Sequence, residues 1–412
     1  MAPTVLSRLR QEFTFLRGNL LLLIICYTIF HFSYSVHSPF RSPYIRELGA
    51  SPFLIGLMTS AGSAILALIR IPGAHIADKY GRRRVIVLFT YGAALAYLIY
   101  ALAPDWRFIL LAIVVTSLSH VYQPALEAIE ADSMPATKRG MAYSAINVLP
   151  RVTGLIAAPI GGLIVERRGL VAGMRAIYGL VFVLVVLIAV IRTLFLEETL
   201  ERAERLRIRD LASTFRDSKR SLAEAWGMMS RDVRFYTLAA VIAYLEMPIY
   251  EVYMSLYAYD VVGVTGFKWG LMDVAWTITA LLLGFPLGRM IDQVGRKRSI
   301  LVSYILSIPV VAFFIFSRGF MQLLVVIVIF AASQAIMYPA FMALRADLIP
   351  QENRGRIMGL IGTLNTLAWI PAASVFGLMY QFNPAAPFVA SIIIELMTIT
   401  IVFFKIYEPT IH

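Results

Sequence analysis

Two short basic turns, Asp78-Lys79-Tyr80-Gly81-Arg82-Arg83-Arg84 and Asp292-Gln293-Val294-Gly295-Arg296-Lys297-Arg298, share the pattern D-x-x-G-R-[RK]-R. They lie 214 residues apart, each behind a long apolar segment. A second match keeps nearly the same offset: Pro124-Ala125, Ala128, Ala131-Asp132, Pro135 and Arg139-Gly140 return as Pro339-Ala340, Ala343, Ala346-Asp347, Pro350 and Arg354-Gly355. Two separate matches in one register mark a duplicated half-protein. The fold must therefore be built twice from one plan, and that plan is apolar.

Of the 412 residues 59% are hydrophobic and 15% charged, with mean hydropathy +0.75. A soluble domain carries charge on about a quarter of its residues. Stretches long enough to cross a bilayer, at about 20 residues per crossing, recur along the whole chain. Spans are expected near 20–41, 52–77, 85–103, 108–133, 141–165 and 172–195, then near 233–261, 268–291, 299–317, 320–346, 356–380 and 385–406. The fold class expected is an all-α membrane protein of twelve transmembrane helices in two pseudo-symmetric six-helix bundles. Residues 1–195 form the first bundle, 196–232 a cytoplasmic linker with a surface helix, and 233–412 the second bundle. That surface helix rests on Glu198, Arg202, Arg205 and Arg209 at helical spacing. The apolar run after Arg8, Arg10 and Arg17 continues to about Phe40 with no small-residue cleavage pattern, so it reads as a retained first helix.

The net charge of +12 raises nucleic acid as a partner, but the basic residues have no polar domain on which to sit. Lys79 to Arg84, Lys138-Arg139, Arg296 to Arg298, Arg354 and Arg356 instead alternate with connections that hold only scattered charges such as Arg46, Arg107, Lys268 and Arg318. That asymmetry places both termini in the cytoplasm of a multi-pass plasma-membrane protein. The lone cysteine, Cys26, lies inside the first apolar segment, so disulfide chemistry is excluded. No metal-protease, nucleophile-elbow or phosphate-loop motif occurs. The sequence calls for no enzymatic activity and no cofactor.

At these residues the chain resembles the major facilitator superfamily of secondary transporters. Gly288 to Arg298 fits that family's G-x-x-x-D-x-x-G-R-[RK]-x loop in full, while the first copy has Ala74 in place of the leading glycine. The resemblance implies that Arg82 pairs with Asp132 and Arg296 with Asp347. It also implies that Asp78 meets the start of helix 11 and Asp292 the start of helix 5, closing the cytoplasmic side in the outward-facing state. Gly81 and Gly295 permit the tight reversals. Gly154-Leu155-Ile156-Ala157-Ala158-Pro159-Ile160-Gly161-Gly162 is similar to the helix-5 motif of the antiporter branch, with Ala158 replacing a glycine and one residue fewer after Pro159. Small residues so spaced also serve close helix packing. Two departures from proton-coupled exporters are visible: no acid lies within helix 1, and helix 4 lacks an embedded arginine, so either Arg151 one helix later substitutes or proton coupling is absent.

Ionisable residues well inside the spans include Arg70, Glu127, Glu130, Arg151, Glu246 and Glu251, with Glu395 on the last helix. At roughly 2.5–3.5 kcal/mol each, the first six would cost on the order of 15–20 kcal/mol facing lipid. That is comparable to the whole stability of a typical fold, so they are expected to face one another or a water-filled cavity. Counting about 1.5 Å per residue puts His31, His120, Arg151 and Glu246 near the midplane. The expected substrate and coupling site is His31, Arg70, His120, Glu127, Arg151, Glu246 and Tyr250, with Glu246 the first candidate for a proton-coupling acid and Glu127 the second. Under the repeat Glu130 corresponds to Arg345, so an ion pair between the halves is expected at the cytoplasmic gate. The gating set is then Asp78, Gly81, Arg82, Glu130, Asp132, Asp292, Gly295, Arg296, Arg345 and Asp347. The reading is a monomeric, alternating-access transporter exporting small amphipathic organic molecules in exchange for protons. The alternative is proton-coupled uptake of a small sugar, metabolite or organic anion, with Arg70 and Arg151 binding a carboxylate. A non-transporting receptor or scaffold is a remote alternative.

Overall fold

The computed structural model describes residues 16–135, 138–200 and 223–407, and within the second helix the side chains of residues 71, 74, 75 and 78 lie outside the description. Twelve helices long and apolar enough to cross a membrane follow one another, and no strand occurs among the described residues. They are α1 (Asn19–Glu47), α2 (Pro52–Tyr80), α3 (Arg82–Leu102), α4 (Trp106–Asp132), α5 (Arg139–Arg168) and α6 (Leu170–Phe195). The second series is α7 (Arg231–Asp260), α8 (Gly266–Val294), α9 (Arg296–Phe316), α10 (Phe320–Leu348), α11 (Gln351–Phe382) and α12 (Ala386–Lys405). Backbone N–H and C=O groups have no water to bind in lipid, and helices satisfy them internally.

Local chemistry sets the helix limits. Ser51 caps α2 by accepting from Leu54 N at 3.2 Å, with Pro52 in the first turn, and Asp105 caps α4 through Arg107 N at 2.7 Å. The two basic turns are single-residue breaks at Gly81 (φ 90°) and Gly295 (φ 100°), a backbone conformation open to glycine at little cost. The first helix departs from expectation. It does not stop at Arg41 but passes through a 3-10 turn, Ser38–Phe40, and runs on to Glu47. Pro39 and Pro43 each sit in the opening turn of a new helical piece, where the missing N–H is not needed.

The two halves meet through α2 against α11 and α5 against α8. Their contact is confined to one end. The largest apolar core joins both halves there, from Val36 and Tyr44 to Tyr253, Phe314 and Phe388. At the other end the cores are separate, one drawn only from residues 225–406 and two only from residues 20–196. Hydrogen bonds between the halves cluster at the joined end: Ser60 to Ile370 O and to Ser374, Trp269 Nε1 to Pro39 O (3.0 Å), and Phe267 N to Glu166 Oε2 (3.3 Å). Glycines report the same asymmetry. A Cβ on Gly162, Gly270 or Gly377 would strike backbone of the other half, whereas one on Gly288, Gly355, Gly359 or Gly362 would meet nothing within 4 Å. The molecule is closed at the end holding residues 48–51 and 261–265, and open at the end holding the basic turns.

Of the expected surface helix, residues 202, 205 and 209 lie outside the described residues. Glu198 is not helical. Its carboxylate accepts from Arg83 N at 2.9 Å at the start of α3, where a helix N-terminus attracts negative charge. Asn19 and Glu197 bond each other reciprocally at 3.0 and 2.9 Å, tying this segment to α1. Residues 223–228, the first described after residue 200, are helical and precede α7.

Candidate functional site

Between the halves, sealed from the closed end, lie two adjoining cavities of about 370 and 280 Å³. Tyr34, Arg41 and Glu251 line both, so they form the shared wall. The larger is faced by Tyr250, Trp269, Trp276, Met254, Met272 and Asp273; the smaller by His37, Tyr97, Tyr100, His120 and Trp369. The extension of α1 past residue 41 puts the Arg41 guanidinium inside the protein, within electrostatic reach of Glu251 and of a cluster of tyrosines. Among the described lining residues Arg41 is the one Lys or Arg, and Glu251 and Asp273 are the carboxylates. Aromatic faces beside isolated charges of both signs suit an amphipathic organic solute.

The ring at position 250 and the carboxylate at 251 diverge as neighbouring residues of a helix do, by about 100°. Pro248 has no N–H to bond back up the helix, and residues Ile249–Tyr253 form a π-helical turn. Successive residues there point in different directions: Glu251 into the cavity, Tyr250 through the cavity wall into the second half. Its hydroxyl donates to Glu395 Oε1 at 3.4 Å.

The expected site residues divide into separate places. Tyr250 and His120 line the cavities, with His120 Nδ1 held by Thr116 O at 2.7 Å. Glu246 does not line them. It is fully buried inside the second half beside Glu395, one helical turn before Tyr250 and on the same face. Arg70 and Glu127 pair with each other at 3.5 Å, largely exposed toward the open end. His31 and Arg151 lie within electrostatic reach of one another, with Arg151 exposed. The single midplane pocket expected from helical depth is thus replaced by a cavity pair, a buried acidic site and an outer ion pair, because depth alone does not fix the direction a side chain faces.

At the basic turns Arg82 donates to Asp132 at 2.5 Å and to Thr199 Oγ1 at 3.1 Å. Arg296 meets Asp347 at 3.1 Å and Asp292 at 3.3 Å. The arginine fork thus ties two helix ends within each half. Asp292 bonds within its own turn, and among the described residues no bond joins it to the start of α5 with this end open; the side chain of Asp78 lies outside the described residues. Glu130 accepts from Tyr27 at 3.1 Å, and no ion pair joins Glu130 to Arg345 among the described residues. The open end holds those two apart.

Sequence reasoning does not single out Arg41, Asp273, Trp269 or Trp276. Arg41 falls at an apparent helix end, between two prolines. Asp273 carries a visible signal, a lone carboxylate two turns into an apolar span.

The Major Facilitator Superfamily family model matches residues 23–274 and 262–412. The chain is 24% identical over 336 residues to multidrug resistance protein MdtG of Citrobacter koseri, spanning 79% of each chain. Among solved structures it is similar to a bacterial homologue of the human lysosomal transporter Spinster (TM-score 0.73, 17% identity, 94% of this chain and 96% of that one). The nucleoside transporter NupG is also similar (TM-score 0.70, 14% identity, 94% and 98%). With the family model covering nearly its whole length and twelve apolar helices enclosing a cavity between two halves, this multi-pass integral membrane protein belongs to the major facilitator superfamily of transporters.

Proposed function

We propose that the chain is a secondary active transporter of the plasma membrane that works by alternating access as a monomer, exporting small amphipathic organic molecules in exchange for protons. The observation that carries this reading is the cavity at the junction of the halves, closed at one end and walled by Trp269, Trp276, Tyr34 and Tyr250 around Arg41, Glu251 and Asp273. Likeness to proteins named for multidrug resistance supports export. The termini are assigned to the cytoplasm, so the open end faces inward, where a solute to be exported would enter. Residues 1–195 and 233–412 act as the two rocking bodies, with 196–232 as their tether. The test is a panel of amphipathic cations, neutral compounds and organic anions. Purified protein is expected to gain thermal stability with the first two classes, and proteoliposomes to show proton movement opposite to theirs. Stabilisation by anions alone would favour the second reading, uptake of an organic anion, for which Arg41 is the available cation.

In the outward-facing state the open end must close, and the repeat brings Glu130 and Arg345 toward one another across it. Glu130→Arg and Arg345→Glu are each expected to reduce transport on the order of tenfold, the scale of an ion-pair coupling of about 1.5 kcal/mol. The double exchange should recover part of that loss. Equal loss in the double variant would remove the pair from the gate.

A further inference from the structure

The buried acid pair of the second half has no role in the cavity chemistry described above. Glu246 on α7 and Glu395 on α12 are both fully buried. Glu395 Oε1 accepts from Ser307 of α9 at 2.6 Å and from Tyr250 at 3.4 Å. Both oxygens of Glu246 and Oε2 of Glu395 have no hydrogen-bond partner. No lysine or arginine lies within 4 Å of either carboxylate among the described residues. The ionisable and polar groups facing the pair are Tyr250 of α7, Tyr304 and Ser307 of α9, and Ser391 and Thr398 of α12, with Tyr236 beyond Tyr304. None carries positive charge.

Two ionised carboxylates in such a place would repel each other without a cation to compensate, and each buried charge costs several kcal/mol. A proton held between them removes one charge and gives the orphan oxygens a donor. Like-charged carboxyl pairs resolve their conflict in this way elsewhere in proteins. We propose that Glu246 and Glu395 form a proton-binding dyad that carries the exchanged proton, with the Tyr250 hydroxyl as its connection to the substrate cavity. This rests on the proton-exchange reading above, and adds to it where the proton sits and how it gets there. Tyr250 touches the dyad and lines the larger cavity. A hydronium ion in the cavity gives a proton to the Tyr250 hydroxyl oxygen as that hydroxyl passes its own proton to Glu395 Oε1, leaving neutral water, a neutral tyrosine and one more proton on the dyad; release runs the same steps backward. Neighbouring helical residues point about 100° apart, so Tyr250 faces the dyad while Glu251 one residue on faces the cavity. Movement of α7 during the conformational cycle would then shift both together.

The test combines infrared spectroscopy of the purified protein with transport in proteoliposomes, using Glu246→Gln, Glu395→Gln, the double variant and Tyr250→Phe, each checked for folding by its thermal transition. The wild-type protein should show a carboxylic-acid carbonyl band at neutral pH that disappears in the double variant, and each single variant should displace the pH at which the band titrates. Substrate-driven proton movement should be lost in the single and double variants while downhill substrate flux persists. Tyr250→Phe should keep the band and slow its exchange with solvent deuterium. A band that survives intact in the double variant, or proton movement equal to wild type, overturns the dyad while leaving proton exchange standing. A wild-type protein whose band is lost in the double variant but whose substrates move no protons keeps the dyad as a proton site and overturns the exchange reading instead.

Discussion

Gly162→Val is expected to drive the protein out of the conformation described here and to reduce transport by about 10- to 100-fold. A Cβ at this position would lie 2.7 Å from Gly266 O and 2.8 Å from Phe267 Cα, so backbone of α5 meets backbone of α8 with no flexible side chain to yield. Gly270 makes the reciprocal approach, 2.6 Å from Ala158 O. Overpacking of this kind costs about 1–3 kcal/mol, and each 1.4 kcal/mol shifts a two-state equilibrium tenfold. The cost falls only on the state in which this end is closed, so it becomes a change in populations. The check is labelling of a reporter cysteine at Ser63, which lines the smaller cavity, by a membrane-impermeant reagent applied from each side. Gly162→Val should raise labelling from the end that is closed here and lower it from the open end. Gly359→Val, whose Cβ would meet nothing within 4 Å, should leave this conformation intact. Unchanged labelling in Gly162→Val would show that the α5–α8 seam does not control access.

Arg41→Ala is expected to cost the second large loss. Arg41 is the cation in the shared wall of the two cavities, within electrostatic reach of Glu251, and its removal leaves that carboxylate and Asp273 without a compensating charge among the described lining residues. A hydrogen bond from a charged group to the solute is worth about 1.5–3 kcal/mol, so transport of a solute held by Arg41 should fall on the order of 10- to 100-fold. Arg41→Lys should keep part of the activity for solutes that need charge balance and less for any that need the planar fork. Measured substrate by substrate, a loss confined to anions would identify Arg41 as a ligand to the solute. An equal loss for every solute would identify it as the partner that keeps Glu251 in place. Wild-type transport of the whole panel would remove Arg41 from the site.

The helices are legible in the sequence because their cause is local. An apolar run of about 20 residues must be helical in lipid wherever it packs, and the Gly81 and Gly295 turns follow from backbone sterics. The pairings of Arg82 with Asp132 and Arg296 with Asp347 are what the family resemblance implies, and each joins helix ends within one half. Arg41 is hidden because two prolines look like a helix end, when each only opens a new helical piece. Glu246 has the depth of a cavity residue but lies on the other side of its helix, in register with Tyr250 and away from Glu251. Helical depth carries no information about that rotation, and the π-helical turn after Pro248 alters it further. Glu198 has helical spacing to its neighbours but is claimed by the start of α3, a long-range contact that no local pattern encodes.

Local pattern alone makes the chain a duplicated, all-helical membrane protein with charges it must hide from lipid. Hydrophobicity, segment length and turn chemistry act over a few residues and need no partner. Packing in three dimensions settles which end is closed, that Arg41 and Glu251 share a cavity wall, and that Glu246 lies beside Glu395 away from the cavity. Those outcomes depend on glycine seams between halves and on rotation about helix axes, where five residues, or about 140° around an ideal helix, separate the cavity-lining Glu251 from the buried Glu246.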